Sequence, residues 1–417
     1  LETLAARDVL IVPKLGNVVA TGDFEKASAA LVIGDQAAEA AHGALAQLAA
    51  TETTYPASHS QRALATAAPV VAFVRLDNET SYSDELLLSQ LQIPIGETLD
   101  ADAIEKRLLR VYSLGTIARA TYEVVSEDNQ VGVLLTVRPK PQGPNYLQLG
   151  LTHNSDFDGT HETTLRGAIL FSPLSPFGAE GRVIVAVGTE PELLGEYYHP
   201  LDLSNRNLLF VQGGYQNPNV NLFDADGNLF ATYDIRRLGL GLQAAHEFGN
   251  YGVVAVGTRV GTGKARVEVG DPALEEFEFD TGNLYVSVGI DRLDSLFFPR
   301  AGYYASLGHT ISRNWLGSDT EFDQIDVDVI GAHSFGKHAL QGGLRYHVTS
   351  SGELPVQDRY RLGGRGRLAG FKRNELTGQH YAVLFAGYSY QLSDFFGRSA
   401  LLGGTLEYGN AWERRPD

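Results

Sequence analysis

The segment 284–303, LYVSVGIDRLDSLFFPRAGY, decides the fold of this chain of 417 residues. Its first half alternates: Leu284, Val286, Val288 and Ile290 are apolar, while Tyr285, Ser287, Gly289 and Asp291 are not. A period of two places one greasy and one wet face on a β-strand. The same rule governs Ile325-Asp326-Val327-Asp328-Val329, 340–346 (LQGGLRY) and 147–151 (LQLGL). A soluble sandwich needs only one buried face and alternates too. Three features favour a membrane barrel: the units are long and numerous, aromatics gather near their ends (Tyr197-Tyr198, Phe297-Phe298, Tyr303-Tyr304, Tyr388, Tyr390), and short turns alternate with longer polar loops such as 217–227. From Tyr146 to the end the period predicts about thirteen strands. Strand eleven is placed at Ala339 to Thr349 and strand twelve at Tyr381 to Leu392. Single-chain barrels have even counts, so several C-terminal strands are expected beyond this chain.

Composition agrees. Forty-six Gly, 19 Tyr and 19 Phe suit short strands and turns, and predict a mainly β chain. No run reaches the roughly 18 apolar residues of a membrane helix. There is no Cys, which excludes disulfides and thiolate metal sites, and no Met, from which a processed, cut or engineered N-terminus is expected. The net charge of -17 disfavours nucleic acid as a partner.

Before the alternating region lie three shorter ones. Residues 1–50 read as the tail of an α/β domain: Asp8-Val9-Leu10-Ile11-Val12-Pro13 predicts a buried strand, and Asp23-Phe24-Glu25-Lys26 opens a helical stretch interrupted at Gly34. The spacing of Asp8 to Gly16, Asp23-Phe24, Ile33-Gly34 and Ala37-Ala38 resembles the C-terminal end of bacterial patatin-like phospholipase domains. Residues 51–68 read as a linker. Residues 69–141 predict strand, helix, helix, strand, strand. Val71, Phe73 and Leu76 mark the first strand, and Ser83-Asp84-Glu85 and Asp100 cap the helices. Ile104, Leu108, Leu109 and Tyr112 form an apolar face on the second helix. Two strands follow, Ala118 to Val125 and Val131 to Val137. That order, with the phrases 95–100 (IGETLD) and 114–117 (LGTI), resembles a POTRA domain, the periplasmic module that precedes certain outer-membrane barrels.

The second half of the opening segment carries the most specific resemblance. Asp291, Leu293, Asp294, Phe298, Pro299 and Gly302 match the D-x-L-D-x-x-x-F-P-x-x-G-Y turn of the Omp85 superfamily of outer-membrane barrels. Asp294 can accept backbone hydrogens, Pro299 stops a ladder and Gly302 restarts a strand. In that superfamily the loop between strands eleven and twelve folds back into the lumen with a V/I-R-G-F/Y tip. Here 368–371, Leu368-Ala369-Gly370-Phe371, stands at the tip, with Ala369 in place of the arginine. Arg359, Arg361, Arg365, Arg367, Lys372 and Arg373 make the loop strongly basic, which suits an acid-lined lumen and not lipid. The superfamily arginine meets an acid in an F-x-D-x-G pattern on strand thirteen. Glu407 in 405–409 (TLEYG) is the matching position, and Arg367 or Arg365 is expected to take over the pairing. A solvated extracellular loop facing lipopolysaccharide phosphates is the bland alternative for the same charges.

No catalytic constellation stands in this chain. G-x-S-x-G is absent, 331–336 (GAHSFG) has the wrong spacing, and Asp158-Gly159 and Asp226-Gly227 read as hairpin turns. Gly363-Gly364-Arg365-Gly366 lacks the rest of a phosphate loop. His199 and His309 read as lumen or interface residues, and no metal spacing appears. Patatin tail, POTRA domain and Omp85-like barrel in this order resemble the patatin-like outer-membrane phospholipases of type V secretion. The resemblance implies a 16-stranded parent barrel that anchors or translocates a serine phospholipase, with this chain lacking the Ser nucleophile and the catalytic Asp. It implies outer-membrane lipid, lipopolysaccharide and phospholipid as partners, no cofactor, and leaves a homodimer open. The alternative is a translocation or insertion factor without enzymatic activity.

Overall fold

The computed structural model describes residues 8–16, 18–19, 26–49, 68–155, 161–224, 226–271, 273–364, 366–392 and 400–413. Arg365, Asp23-Phe24, Asp158-Gly159 and the linker over 51–67 lie outside them. The chain divides into two units, 1–69 with 391–401, and 70–390 with 402–417.

In the first unit α1 (Ala27–Ala40) is followed by the short α2 (His42–Leu45). The helix runs straight through Gly34. A glycine there costs about 1 kcal/mol against alanine, and the alanine-rich turns on either side offset it. The expected strand at 8–13 is not formed: the backbone is irregular, and Leu10 and Val12 are exposed. A strand needs a neighbour to take its N–H and C=O groups, and none pairs with this one among the described residues.

The second unit begins with a small α+β body. β1 (Phe73–Asn78), α3 (Asp84–Leu91), α4 (Ala101–Tyr112), β2 (Ile117–Glu127) and β3 (Gln130–Pro139) follow the predicted order. The sheet runs β1-β3-β2, with β1 parallel and β2 antiparallel to β3. Ser83 Oγ accepts from Leu86 N at 3.2 Å and Asp100 Oδ1 from Ala103 N at 3.0 Å, so both helices start where the capping residues stand. The buried face of α4 is Ile104, Leu108 and Val111, while Leu109 and Tyr112 are exposed. At about 100° per residue, Leu109 lies some 140° round the helix from Ile104, outside the stripe that packs on Leu86, Leu87, Leu91, Val133, Leu135 and Val137. This body is fixed to the strand turns that follow. Ser83 N donates to Pro176 O at 2.9 Å, and Ser89 Oγ and Gln90 Nε2 both donate to Leu203 O at 2.8 Å.

Thirteen antiparallel strands then follow one another in a single meander. They are β4 (Tyr146–Ser155), β5 (His161–Phe171), β6 (Glu180–Gly188), β7 (Glu192–Pro200), β8 (Asn207–Gln216), β10 (Leu229–Phe248), β11 (Gly252–Val269), β12 (Phe277–Asp291), β13 (Gly302–Ser312), β14 (Phe322–Phe335), β15 (His338–Gly352), β18 (His380–Gln391) and β19 (Leu401–Trp412). The fourteenth strand of the sheet, β9 (Asn219–Phe223), pairs only with the start of β10. The polar loop expected at 217–227 is therefore mostly ladder: Val220 and Leu222 face an apolar cluster with Tyr233 and Ile235, and Asp224 closes the turn by accepting from Asp226 N and Asn228 N. Among the described strands β4 and β19 are the two ends of the path. No described helix is long and apolar enough to cross a membrane.

Register aligns the faces. Val254 pairs with Val288, Val288 with Leu307, Leu307 with Val327, and Val327 with Tyr346, so one apolar band crosses five strands. Leu147, Leu149, Leu151, Leu238, Leu240 and Leu242 continue it on the exposed side. The opposite face is polar: Arg182 Nε bonds Glu196 at 2.6 Å, Gln212 donates to the same carboxylate at 3.2 Å, and Tyr285 OH donates to Gln243 at 2.9 Å. A slip of one residue would exchange the faces throughout.

Two expectations follow. In urea unfolding from lipid vesicles, Val286→Arg should destabilise the wall by about 2–4 kcal/mol if its site lies near the bilayer midplane, whereas Ser287→Arg, one residue on and facing the polar side, should cost far less. In the small body, burial pushes the Tyr82 phenol above its ordinary value of 10.0. Its neutral form is favoured in the folded state, so this stabilisation is complete below pH 10 and lost as pH rises through the folded pKa. Tyr82→Phe should remove that alkaline loss while costing about 1 kcal/mol at neutral pH, because Tyr82 OH donates to Leu114 O and accepts from Thr116 Oγ1.

Candidate functional site

The polar face of the wall holds the loop from Glu353 to Gln379, which joins β15 to β18 and carries a small hairpin of β16 (Tyr360–Leu362) and β17 (Leu376–Gly378). Its root is clamped at Gln379, whose buried side chain accepts from Leu354 N at 2.8 Å and donates to Leu354 O at 3.0 Å. Arg237 of β10 donates to Gln357 O at 3.1 Å and to Asp358 Oδ1 at 3.0 Å. From there the loop runs over the polar face of the wall.

Glycines permit its path. Gly363, Gly364 and Gly366 all have positive φ, at 119°, 92° and 75°, and a Cβ on Gly363 would stand 2.0 Å from Lys372 O. No other residue fits that position without moving the chain. Gly363 N then bonds Arg367 O at 2.8 Å, and Gly364 N bonds Phe371 O at 3.0 Å. Leu368 takes φ 71° with a side chain in place. That strain, of order 1 kcal/mol, is offset by burying the side chain against Leu362, Tyr381 and Val383.

The basic side chains meet acids from widely separated strands. Arg373 pairs with Glu162 of β5 and lies 3.8 Å from Glu190, while Arg359 pairs with Glu413 just beyond β19 at 2.7 Å. Tyr360 OH donates to Asp326 Oδ1 at 2.8 Å. The His347 ring stands between Asp326 (2.9 Å) and Asp328 (3.2 Å), with a carboxylate at each nitrogen, and stacks on Tyr381 at 4.4 Å. In the sequence Asp326 and Asp328 stand out only as the wet half of an alternating pattern, and His347 not at all. Their convergence on Tyr360 needs the register of β14 with β15, where Asp326 is opposite His347 and Asp328 opposite Arg345.

At the tip, Glu407 Oε2 accepts the backbone N–H of Ala369 at 2.7 Å. The main chain of Ala369, not a side chain, makes the contact. The Arg367 side chain lies near Tyr381 and Asp328. The structure thus brings Leu368, Ala369 and Glu407 together, directs Arg367 to β14 and β18 instead, and leaves Gly370 and Phe371 on the exposed side of the tip. Chemically the assembly is a charge-latched segment: a basic loop held by hydrogen bonds and ion pairs that salt and substitution can weaken.

The turn 292–301 sits at the other end of the hairpins. Asp294 Oδ1 accepts Arg300 N at 2.8 Å and Ala301 N at 3.0 Å, Arg292 N bonds Tyr303 O, and Asp291 Oδ1 accepts Leu293 N. Pro299 is buried, and Gly302, at φ 98°, has Arg292 O where a Cβ would be. Phe298 is exposed.

Removing Arg367 and Glu407 singly and together should give additive losses within about 0.5 kcal/mol, because the two serve different contacts; Arg367 and Asp328 should couple in the same urea assay. Glu407→Ala should free the tip, read as faster proteolysis between Arg367 and Arg373. The amides of Ala301 and Arg300 hold the Asp294 carboxyl below the usual carboxylate range. Its stabilising contribution is present above pH 4 and lost as pH falls through the folded pKa. Urea melts between pH 6 and pH 3 should show a shallower acid loss for Asp294→Asn.

Comparison with known proteins agrees with this geometry. The Omp85 superfamily domain matches residues 192–408. BamA from Haemophilus ducreyi lacking POTRA domains 1–3 is similar in fold, with a TM-score of 0.65 at 14% identity over 83% of this chain and 72% of that one. CdiB from Escherichia coli gives 0.50 at 14% identity over 78% of this chain, and CdiB from Acinetobacter baumannii 0.49 at 12% over 84%. The chain spans less than two thirds of either CdiB structure, 63% and 64%. No curated protein matches by sequence. With the superfamily domain covering more than half of its residues, the chain belongs to the Omp85 superfamily.

Proposed function

We propose that this chain is the membrane module of an outer-membrane protein that anchors or translocates an N-terminal patatin-like phospholipase, with residues 69–141 acting as a POTRA domain in the periplasm. The observation that carries the translocation part is the charge-latched loop. A segment that lies on the polar face, tied by ion pairs to Glu162 of β5 and to Glu413 just beyond β19, can act as a stopper that is displaced without unfolding the wall. The POTRA reading rests on the β-α-α-β-β order and on the length of the BamA match, which is greater than the wall alone could supply. The phospholipase reading rests on residues 8–38, whose spacing resembles the end of a patatin-like domain. The nucleophile and its aspartate would be supplied by that domain.

A second reading, an insertion or translocation factor for other proteins, is favoured by the similarity to the BamA fold. The intact mass of the native protein from outer membranes, with labelling by a serine-directed fluorophosphonate, separates the two. A polypeptide longer by several hundred residues at the N-terminus that takes the label supports the fused lipase. A native protein that takes no label overturns it and leaves the second reading.

A further inference from the structure

His309 on β13 is turned away from the polar face. Gly308 before it pairs with Asp326, which meets His347 and Tyr360 on that face, so His309 points outward. It is exposed there among aliphatic side chains: Leu307 and Ile311 flank it along the strand, and Val286 and Ile325 stand opposite on the neighbouring strands. Other histidines are provided for, since His153, His199, His246, His338 and His347 each hydrogen-bond a side chain. Among the described residues no hydrogen bond, ion pair or ring contact reaches His309.

A groove of about 550 Å3 opens beside it, lined by Val254, Val286, Val288, Leu307 and Ile325, with Ser287 and His309 completing the lining. The alternation of β12 sends the Ser287 side chain to the polar face, which leaves the imidazole as the polar side chain of the groove. An imidazole always carries at least one N–H donor, and a polar group unpaired in an apolar medium is costly. Ionisable side chains in spanning segments ordinarily face the interior and pair there; His309 does neither. Nor does it stand at the aromatic rim. Ile311 lies two residues, about 7 Å along the strand, nearer the turn 313–321, so the imidazole is sunk below an outward apolar side chain of its own strand.

We propose that the groove beside His309 is a binding site for one membrane lipid, whose acyl chain lies along Val254, Val288 and Leu307 and whose ester carbonyl accepts the His309 N–H. The inference rests on the reading of the wall as a membrane module. The occupant is lipid because the groove is continuous with the apolar band through Val254, Val288, Leu307 and Val327. A second copy docking here by two-fold symmetry would bring another aliphatic face and another imidazole, whereas an acyl ester brings both the chain that fills the groove and the acceptor that the imidazole lacks.

The test uses the full chain in vesicles of ester-linked phosphatidylcholine and of ether-linked phosphatidylcholine with the same chains, which has no carbonyl. A chain that does not float with either vesicle overturns the membrane reading, and this site with it. In urea unfolding the ratio of folded to unfolded chain should favour ester over ether lipid by about fivefold more in the wild type than in His309→Leu, the worth of one hydrogen bond; His309→Gln, which keeps an N–H donor, should retain the preference. Equal ester and ether behaviour of wild type and His309→Leu overturns the proposal. A preference that disappears on dilution with excess lipid also overturns it and points to a second copy. Should the leucine variant not fold, the wild type decides alone: magnetisation transfer from lipid labelled with 13C at the ester carbonyl to a 15N-labelled imidazole, assigned to His309 by its loss in His309→Gln, is expected, and its absence overturns the contact.

Discussion

Everything in the wall depends on one constraint: in lipid, each backbone N–H and C=O must find a partner within the protein. A meander of neighbouring strands meets it by pairing each strand with the next in sequence, and the alternation of side chains then sorts the two faces without further instruction. The apolar band from Val254 to Tyr346 is a consequence of register, and register is held by turns such as Gly336-Lys337 and the Asp294-capped 292–301. A chain with net charge -17 can therefore present a continuous apolar surface, because its charges lie on the other face and in the turns.

That sorting creates a second problem inside. A polar face carrying Glu162, Glu196, Asp326 and Asp328 brings negative charges onto one side of the wall, where they repel one another. The basic loop answers it. Arg373, Arg359 and Tyr360 supply the positive charge and the donors, and in doing so connect β5 to β14 and to the end of β19. The loop is best understood as counter-charge to the wall, and the wall as what gives a glycine-rich basic segment a fixed shape.

The tip is held by a main-chain donor: Glu407 on the thirteenth strand of the meander accepts from the amide of Ala369. A main-chain donor is shorter and less adjustable than a guanidinium, so the tip must approach Glu407 closely. The left-handed turns at Gly363, Gly364 and Gly366 and the buried Leu368 make that approach possible.

The sequence by itself determined the strands. Period-two alternation at 284–291 and 340–346, the caps Ser83 and Asp100, and the 291–303 turn each act over a few residues, where local chemistry dominates. The placement of the basic loop between strands eleven and twelve was legible for the same reason. Its partners were not. Whether Glu407 meets Arg367 or the Ala369 amide, whether Leu109 or Val111 faces the core, and whether 219–223 is loop or ladder depend on distances between segments far apart in the chain. Asp8 to Pro13 makes the same point from the other side: the pattern of a strand was present, but a strand exists only where another is positioned to pair with it. Those choices belong to tertiary structure, because they are settled by which groups register and packing bring within a few ångströms of one another.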